Sequence, residues 1–272
     1  GTRWQLAGRA FGIATSFNDR AFRNGREIYE ENLSQRPAHA SAWLLAPLTP
    51  RLTVRFGYEF DYIRLRRADE TAEGFVLPAD QVSHGLRLGF EGQRAGWAWN
   101  VWWNHARRRG WRAWGRAADD YSPSHHAYQR YGAGLSRSFA LRQGLSARLE
   151  AAVMAGQDLD RFSRYAFGTF DNRLHGYPSA LVRYDRGGVV RGSASWSPGR
   201  LARLDVFLDS AQVRDRGFGS RFRNYTGVGA AVEAPAPFGL LTAVEWGYGF
   251  RGIDATGSRG THVIRISAFK VF

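Results

Sequence analysis

The residues that could bind a metal or act as acid and base are few and widely spaced. The stretch "SPSHHAY" places His125 beside His126, and Asp119 and Asp120 precede them. Adjacent histidines on a strand point to opposite faces, and on a loop they need further partners that this spacing does not supply. We therefore interpret the stretch as a solvated polar loop.

Two other stretches match ligand-binding motifs only in part. "GQDLDR", residues 156–161, offers oxygen ligands but lacks the spacing and terminal glutamate of a calcium loop. "GVGAAVE", residues 227–233, is not followed by a helix, as a nucleotide fingerprint requires. The chain has no cysteine, which excludes a thiol nucleophile and a thiolate metal site. We predict no catalytic residue, no metal site and no cofactor.

The composition is strongly basic but does not indicate nucleic-acid binding. The 38 basic and 24 acidic residues give a formal net charge of +14. Lys270 is the only lysine, and the arginines are dispersed singly apart from "RRR" at 107–109, so no basic arm is present. A hydrophobic content of 44% is ordinary for a folded chain. No apolar run is long enough for a transmembrane helix.

Period-two alternation of side chains runs through the whole chain and predicts β-strands. In "FGLLTAVEWGYGFR", residues 238–251, large apolar side chains alternate with small or charged ones. "RLTVRFGYEFDYI" and "LARLDVFLDSA" repeat this pattern, and proline or glycine separates consecutive runs. The twelve predicted strands are 3–14, 38–48, 51–63, 83–94, 96–109, 126–140, 145–158, 187–197, 201–211, 223–235, 238–251 and 261–272.

The connections between these strands alternate between tight turns and long polar stretches, with a shorter sixth connection near 251–260. This alternation is typical of an up-and-down antiparallel barrel in the outer membrane, with short periplasmic turns and long external loops. The predicted fold is all-β: one transmembrane antiparallel β-barrel of about twelve strands over residues 1–272. The long stretches are 16–37, 66–82, 109–125, 159–186 and 214–222.

A soluble sandwich or enzyme barrel also has alternating strands, but its interior is apolar. Here charged residues and glycines share one face, and aromatic residues cluster near strand ends, as in "GWAWNVWW", 96–103, which favours girdles at a membrane interface. A charge facing lipid costs about 2–4 kcal/mol at the midplane, so we expect a wet, ion-paired lumen and a bacterial outer-membrane location. The charges assigned to the lumen are Arg55, Arg87, Arg148, Arg191, Arg203, Arg265, Glu59, Glu91, Glu150, Asp205, Glu233 and Glu245.

Three features near the C-terminus carry a family resemblance. "LHGYP" within the predicted loop 159–186 contributes His175, Gly176 and Tyr177. Phe207-Leu208-Asp209 lies on the second strand after that loop, and the last strand ends Lys270-Val271-Phe272. In their order and spacing, these features resemble the C-terminal barrel of the BamA/TamA superfamily, the bacterial surface antigens that assemble or translocate outer-membrane proteins.

The resemblance implies a lock inside the barrel. In that family a long sixth external loop folds into the lumen, and the arginine of its Arg-Gly-aromatic tip reaches the aspartate of a Phe-x-Asp pattern. His175 stands here where the family has arginine. Either the lock is weaker and pH-sensitive, since histidine titrates near neutrality, or Arg173 supplies the guanidinium to Asp209. A simple turn at "HGYP" is the alternative. Lys270 and Phe272 resemble the carboxyl-terminal signal of outer-membrane barrels.

The family barrel has sixteen strands preceded by periplasmic domains, and the twelve predicted here correspond to the last twelve. We expect either a fragment with an unpaired edge near Trp4 or a smaller closed barrel. In a closed barrel the weakest pairing would join residues 3–14 to residues 262–272.

The resemblance implies a non-enzymatic barrel that inserts or translocates proteins through a lateral seam between its first and last strands. Its partners would be outer-membrane lipids and client polypeptides, with periplasmic or lipoprotein partners left open and no nucleic acid. The alternatives are a passive anion-selective channel with an arginine-rich lumen and a twelve-stranded autotransporter translocator. An outer-membrane phospholipase also uses such a barrel, but no local signature joins a serine to a base here.

Overall fold

The computed structural model describes residues 4–115, 126–167, 172–178, 181–199, 202–219, 221–253 and 260–270. Within these ranges the chain is almost entirely β-structure, with short 3-10 turns at Tyr29–Glu31, Arg216–Phe218 and Pro237–Gly239. The strands are β1 (Gln5–Gly12), β2 (Phe17–Asp19), β3 (Phe22–Arg23), β4 (Arg26–Glu27), β5 (Leu33–Thr49), β6 (Leu52–Arg67), β7 (Gln81–Arg94), β8 (Trp97–Arg109), β9 (Ala127–Arg142), β10 (Leu145–Gln157), β11 (Tyr165–Ala166), β12 (Arg183–Trp196), β13 (Arg203–Asp215), β14 (Arg221–Ala236), β15 (Leu240–Gly249) and β16 (Thr261–Lys270).

Twelve long strands form one antiparallel sheet in which neighbours in the sheet are also neighbours along the chain. The short strands β2 and β11 pair with β5 and β12, and β3 pairs with β4 in a separate ribbon. Each predicted strand is present, so the all-β, up-and-down prediction is confirmed. Glycines with positive φ, Gly96 at 80° and Gly144 at 74°, close two of the tight turns.

Several strands extend further toward the long-loop side than the alternation predicts. β5 begins at Leu33 rather than 38, and β6 continues to Arg67 rather than ending at 63. β12 begins at Arg183, so the last four residues of the predicted loop 159–186 belong to a strand. These strand extensions carry arginine and other polar residues on both faces. Where the paired strands project beyond the membrane into water, neither face has to be apolar. Alternation is therefore a poor guide to where such strands end.

The two ends of the sheet are β1 and β16. Among the described residues, β1 pairs only with β5 and β16 pairs only with β15. The predicted weak pairing between residues 3–14 and 262–272 is therefore not observed there, and Arg3 lies outside the described residues. Leu6 and Ile266 on these strands are 82% and 78% exposed. Since hydrocarbon does not tolerate unpaired backbone groups, both edges require partner strands in a membrane.

The apolar face of the sheet points outward. Phe56, Val206 and Leu208 are about half exposed, whereas Glu59 and Asp209, on the opposite phase, are 5% and 1% exposed. This is the reverse of a soluble β-protein and confirms the assignment of the charged face to the interior. No helix within the described ranges is long and apolar enough to cross a membrane.

Ion pairs between neighbouring strands line the interior, as the sequence predicts. The Arg87–Glu59 pair has an N···O distance of 2.9 Å, and Asn104 adds a 2.8 Å hydrogen bond to the same carboxylate. Because an arginine and an acid lie close together on the same face, neither charge is left alone in a partly desolvated lumen. Other charges assigned to the lumen also pair, Arg55–Glu91 and Arg265–Glu245 across neighbouring strands and Arg148–Glu150 and Arg203–Asp205 along a single strand.

Not every tryptophan belongs to an interfacial girdle, which corrects one expectation. Trp102, in the "GWAWNVWW" stretch, and Trp43 both contact the Arg87 guanidinium, whose carbon lies 4.2 Å and 5.2 Å from their ring centroids. These rings lie on the inner face because glycine leaves room beside them. A Cβ added at Gly57 would lie 2.3 Å from the Trp43 ring. Cation–π contacts thus account for part of the aromatic content.

The main hydrophobic core lies inside the barrel, between an inward-folded loop and the inner face of β12, β13 and β14. Its buried members are Phe167, Leu174, Tyr177, Val182, Tyr184, Val189, Ala211, Val213 and Tyr225.

At the long-loop end, the connection after β1 contacts the loop after β10 and the turn after β13. Arg161 Nε donates to Asp19 Oδ2 over 3.0 Å, and Gly25 N–H donates to the Gly217 carbonyl over 2.8 Å.

A charge placed on the outer face should destabilise the barrel. Leu208→Arg replaces an outward side chain near the middle of β13, and we expect a loss of about 2–4 kcal/mol because the guanidinium would face hydrocarbon. Reversible urea unfolding in lipid vesicles measures this loss. The matched control is Ser136→Arg, which adds the same side chain on the inner face opposite Glu150, its cross-strand partner. An equal loss in both variants would contradict the assignment of the two faces.

Candidate functional site

The loop between β10 and β12 enters the lumen, and its tip lies against the inner faces of β13, β14, β15 and β16. We call residues 172–178 the loop tip. Leu174 and Tyr177 are each only 1% exposed, and His175 is also buried. A surface turn would leave these side chains in solvent, so the simple-turn alternative does not describe this segment.

His175 contacts Asp209 through two hydrogen bonds. Its backbone N–H donates to Asp209 Oδ2 over 2.8 Å, and its ring Nδ1 lies 2.6 Å from the same oxygen. The imidazole also stacks on Phe207, with ring centroids 4.0 Å apart and an interplanar angle of 10°. Asp209 is 1% exposed, so this contact is shielded from water on every side. The structure thus brings together the histidine, the phenylalanine and the aspartate of the predicted lock.

Among the described ion pairs, Asp209 is the partner of His175 and not of Arg173. The Arg173 guanidinium instead pairs with Glu245 on β15. Arg265 of β16 binds the other oxygen of Glu245 at 2.8 Å, and His175 Nε2 lies 3.8 Å from that oxygen. Glu245 is therefore a second acidic anchor for the loop tip.

Four glycines make the surface on which the tip lies. Gly227 of β14 pairs directly with Gly249 of β15, and Gly229 pairs with Gly247. A Cβ at Gly227 would lie 1.9 Å from the His175 carbonyl oxygen. A Cβ at Gly247 would lie 2.4 Å from the backbone nitrogen of the Gly176 residue. Side chains on either strand would keep the loop backbone away.

Gly176 is the corresponding small residue on the loop side. Its φ of 79° is in the left-handed region, and a Cβ there would lie 2.0 Å from the backbone nitrogen of Gly249. The loop and the strands therefore approach backbone to backbone. Any side chain at this position meets both a conformational and a steric penalty.

Tyr177 anchors the far side of the tip. Its hydroxyl donates to the Thr226 carbonyl over 3.1 Å and accepts from Arg251 N–H over 3.2 Å. Burial raises the pKa of this hydroxyl, although the hydrogen bond from Arg251 N–H acts against the shift, so the ring remains neutral at physiological pH. The Gly176 carbonyl accepts from the Thr261 hydroxyl, which connects the tip to β16.

The sequence predicted Arg173, His175, Gly176, Tyr177, Phe207 and Asp209, and all six lie at or beside the loop tip. It missed Glu245 as an anchor and the four-glycine surface. A signal was present, because two Gly-x-Gly pairs at 227–229 and 247–249 lie symmetrically about the turn at 237–239. Counting outward from that turn places them opposite one another.

Most of the other residues that the sequence analysis considered lie outside the described ranges. Lys270 ends β16 and pairs with Leu240, whereas Phe272 lies outside the described residues. His125, Asp119 and Asp120 also lie outside them. In the described ranges, no group of three or more histidine or acidic residues could hold a metal ion. The arrangement at the tip holds a loop by steric fit and polar contacts.

An antiparallel up-and-down sheet with an apolar outer face and a loop packed in its lumen defines a bacterial outer-membrane β-barrel. Neither a protein-family model nor a curated protein matches the chain in sequence. Solved structures do match its fold. The fold of the chain is similar to that of the CdiB and BamA barrels.

CdiB from Escherichia coli is 13% identical, with a TM-score of 0.61 over 98% of this chain and 49% of that protein. BamA from Haemophilus ducreyi lacking POTRA domains 1–3 is 12% identical, with a TM-score of 0.59 over 98% of this chain and 59% of that one. CdiB from Acinetobacter baumannii is 12% identical, with a TM-score of 0.57 over 98% and 48%. The chain thus spans about half the length of these proteins.

Side chains added to the glycine surface should expel the loop tip. In Gly227→Ala the new methyl would overlap the His175 carbonyl, so we expect the tip to leave its site. Limited trypsin digestion followed by mass spectrometry should then show cleavage after Arg173 that the wild type resists. Gly89→Ala is the control, because its Cβ has no neighbour closer than 3.6 Å. Protection of Arg173 in Gly227→Ala would contradict this packing.

His175 and Asp209 should be energetically coupled. We expect His175→Ala and Asp209→Ala each to destabilise the protein, and their double mutant to lose less than the sum, with a coupling of about 1–3 kcal/mol. A charge swap, His175→Asp with Asp209→Arg, should recover only part of the loss, because Asp209 also accepts the His175 backbone N–H. Urea unfolding in lipid vesicles measures the free energy of unfolding of the two single variants, the double mutant and the charge swap. Additive losses would show that the contact contributes nothing.

Proposed function

We propose that this barrel inserts polypeptides into the outer membrane or moves them across it, without enzymatic chemistry. The observation that carries the proposal is the contact between the loop tip and the edge strand β16. The Gly176 carbonyl accepts from Thr261, and Arg265 joins the tip through Glu245 and through a 3.4 Å contact with the Tyr177 carbonyl. The position of the loop is thereby coupled to the strand at the end of the sheet.

The edge strands are where a client polypeptide would pair. Along β1 and β16, one row of backbone N–H and C=O groups has no strand partner among the described residues. An extended polypeptide satisfies such groups by adding a strand, and its side chains then alternate between lipid and lumen. In our proposal the seam between these edges opens for that purpose, and the docked loop tip limits how far β16 can move.

The fold similarity to CdiB and BamA supports this proposal, although it extends to only about half of each protein. Client polypeptides, outer-membrane lipids and periplasmic or lipoprotein partners belong to the same proposal. The runner-up, a passive anion-selective channel, has less support. The loop tip and the hydrophobic cluster around it occupy the lumen beside β12–β14, space that an open channel would leave to ions.

Joining the two edges should stop insertion. The chain has no cysteine, so Ala10→Cys on β1 and Ile266→Cys on β16 introduce two thiols for a cleavable bifunctional thiol reagent whose spacer length is varied until the two are joined. We expect vesicles containing the linked protein to insert an unfolded outer-membrane client at the rate of empty vesicles, with recovery after cleavage. The two single-cysteine variants, treated identically, are the controls. Undiminished insertion by fully linked protein would contradict the seam.

A further inference from the structure

An apolar groove lies on the outer face of β7–β10, away from the loop tip and from the edge strands. It has a volume of about 420 Å³. Ala133 of β9 forms its floor, because this small side chain lies directly between Val101 of β8 and Val153 of β10. Trp103 and Tyr131, which pair across β8 and β9, bound the groove toward the long loops. The groove is therefore a recess in the lipid-facing surface.

The boundary between the apolar and the polar part of this surface passes through Trp103. Its indole N–H donates to Gln129 Oε1 over 3.0 Å, and the His105 ring stacks on the indole with an interplanar angle of 19°. Toward the tight turns the outward residues of β8 are valine and tryptophan, whereas toward the long loops they are His105, Arg107 and Arg109. An indole with one apolar and one hydrogen-bonded side is typical of the level where hydrocarbon meets lipid headgroups.

Arg107 and Arg109 are exposed, and neither pairs with a carboxylate in the part of the chain that the structure describes. Their cross-strand neighbours on β7 are His84 and Val82, which carry no negative charge at neutral pH. The acidic residues of β5–β9 all lie on the inward phase of their strands: Glu59, Asp61 and Glu91. Among the described side chains, no acid therefore competes for the donors of these two guanidinium groups.

The groove and the two arginines are spaced like the two parts of one lipid molecule. Arg107 follows Trp103 by two outward positions of β8, which is about 13 Å along the strand and about 10 Å in depth for a tilt of about 40°. The headgroup layer is about 5–8 Å deep, and a long arginine side chain bends toward it. An acyl chain lying in the groove below Trp103 thus places its headgroup within reach of Arg107.

We propose that this surface binds one phosphorylated membrane lipid, with an acyl chain in the groove and a phosphomonoester headgroup at Arg107 and Arg109. A planar guanidinium donates two parallel hydrogen bonds to a pair of phosphate oxygens. Successive outward residues of a strand are about 7 Å apart, so two such groups approach one phosphate from neighbouring positions. A zwitterionic headgroup is less suited to this site, because its own cation is repelled by the arginines.

The lipid site does not rest on the proposed insertion function. It lies on β7–β10, whereas the proposed seam lies between β1 and β16, and the loop tip lies against β13–β16. Lipid binding and client insertion are also measured by separate assays. Failure of the insertion proposal would therefore leave this proposal standing.

Titration of the whole chain in neutral detergent micelles with phosphatidic acid, read by native mass spectrometry, tests the headgroup contact. We expect one phosphatidic acid to bind about tenfold more tightly than phosphatidylcholine with the same acyl chains. Arg107→Gln should weaken the binding of phosphatidic acid about tenfold, which corresponds to the loss of one charge-assisted hydrogen bond. Arg148→Gln is the matched control, because it removes the same charge from the inner face, and we expect no change in that variant.

A second pair of variants tests the groove. Ala133→Trp fills it with a side chain that hydrocarbon accepts, so we expect weaker binding of phosphatidic acid with an unchanged circular dichroism spectrum. Ala230→Trp makes the same change on the outward face of β14, where Ala230 pairs with Val206 and Trp246, and should bind phosphatidic acid like the wild type.

Glycerol 3-phosphate distinguishes a lipid from a soluble phosphate, because it has the same headgroup without acyl chains. We expect it to bind much more weakly than phosphatidic acid. Equal binding of the two compounds would show that the ligand is a soluble phosphate and would overturn the lipid proposal. The absence of a preference for phosphatidic acid over phosphatidylcholine, or equal weakening in a variant and its control, would overturn it as well.

Discussion

The structure depends on one constraint, which is that a strand in hydrocarbon can present only one face to lipid. Every backbone group must be paired between strands, and every charge on a spanning strand must lie on the inner face. Arg87, Glu59 and Asn104 show the result, since cross-strand hydrogen bonds and Trp43 and Trp102 surround the guanidinium. The lumen is therefore polar, arginine-rich and able to accommodate a folded segment of the same chain.

The inner surface holds that segment because part of it has no side chains. The cross-strand pairs Gly227–Gly249 and Gly229–Gly247 let the backbone of the loop tip lie directly on the strands. Glycines cost strand stability, but here they bring His175 within hydrogen-bonding distance of Asp209 and Arg173 within reach of Glu245. The side chain of histidine is shorter than that of the arginine found at this position in the family that the chain resembles. The backbone N–H of His175 compensates by donating to the same carboxylate oxygen.

The loop between β10 and β12 contributes side chains both at the long-loop end of the barrel and in the lumen. Its first half contributes Arg161 and Arg164 to a cavity at the long-loop end that six arginines line, and its tip contributes Arg173, His175 and Tyr177 inside the lumen. Arg161 and Arg183 both bind Asp19 of the connection after β1, so the base of the loop is joined to the other side of the barrel mouth. The loop thus links the outer mouth, the lumen and the edge strand β16.

The alternation of residue types alone determined the twelve strands, their order and the face that carries charge, because each follows from a local period of two and from the lengths of connections. The family resemblance added six of the residues now seen at or beside the loop tip. Only the tertiary structure decided that His175 rather than Arg173 binds Asp209, because both lie on one short segment and the choice depends on where Glu245 and the glycine surface meet it. It also decided that Trp102 faces inward and that arginines from three separate connections share one cavity. Such contacts join residues far apart in the chain, and no local pattern contains the distance between them.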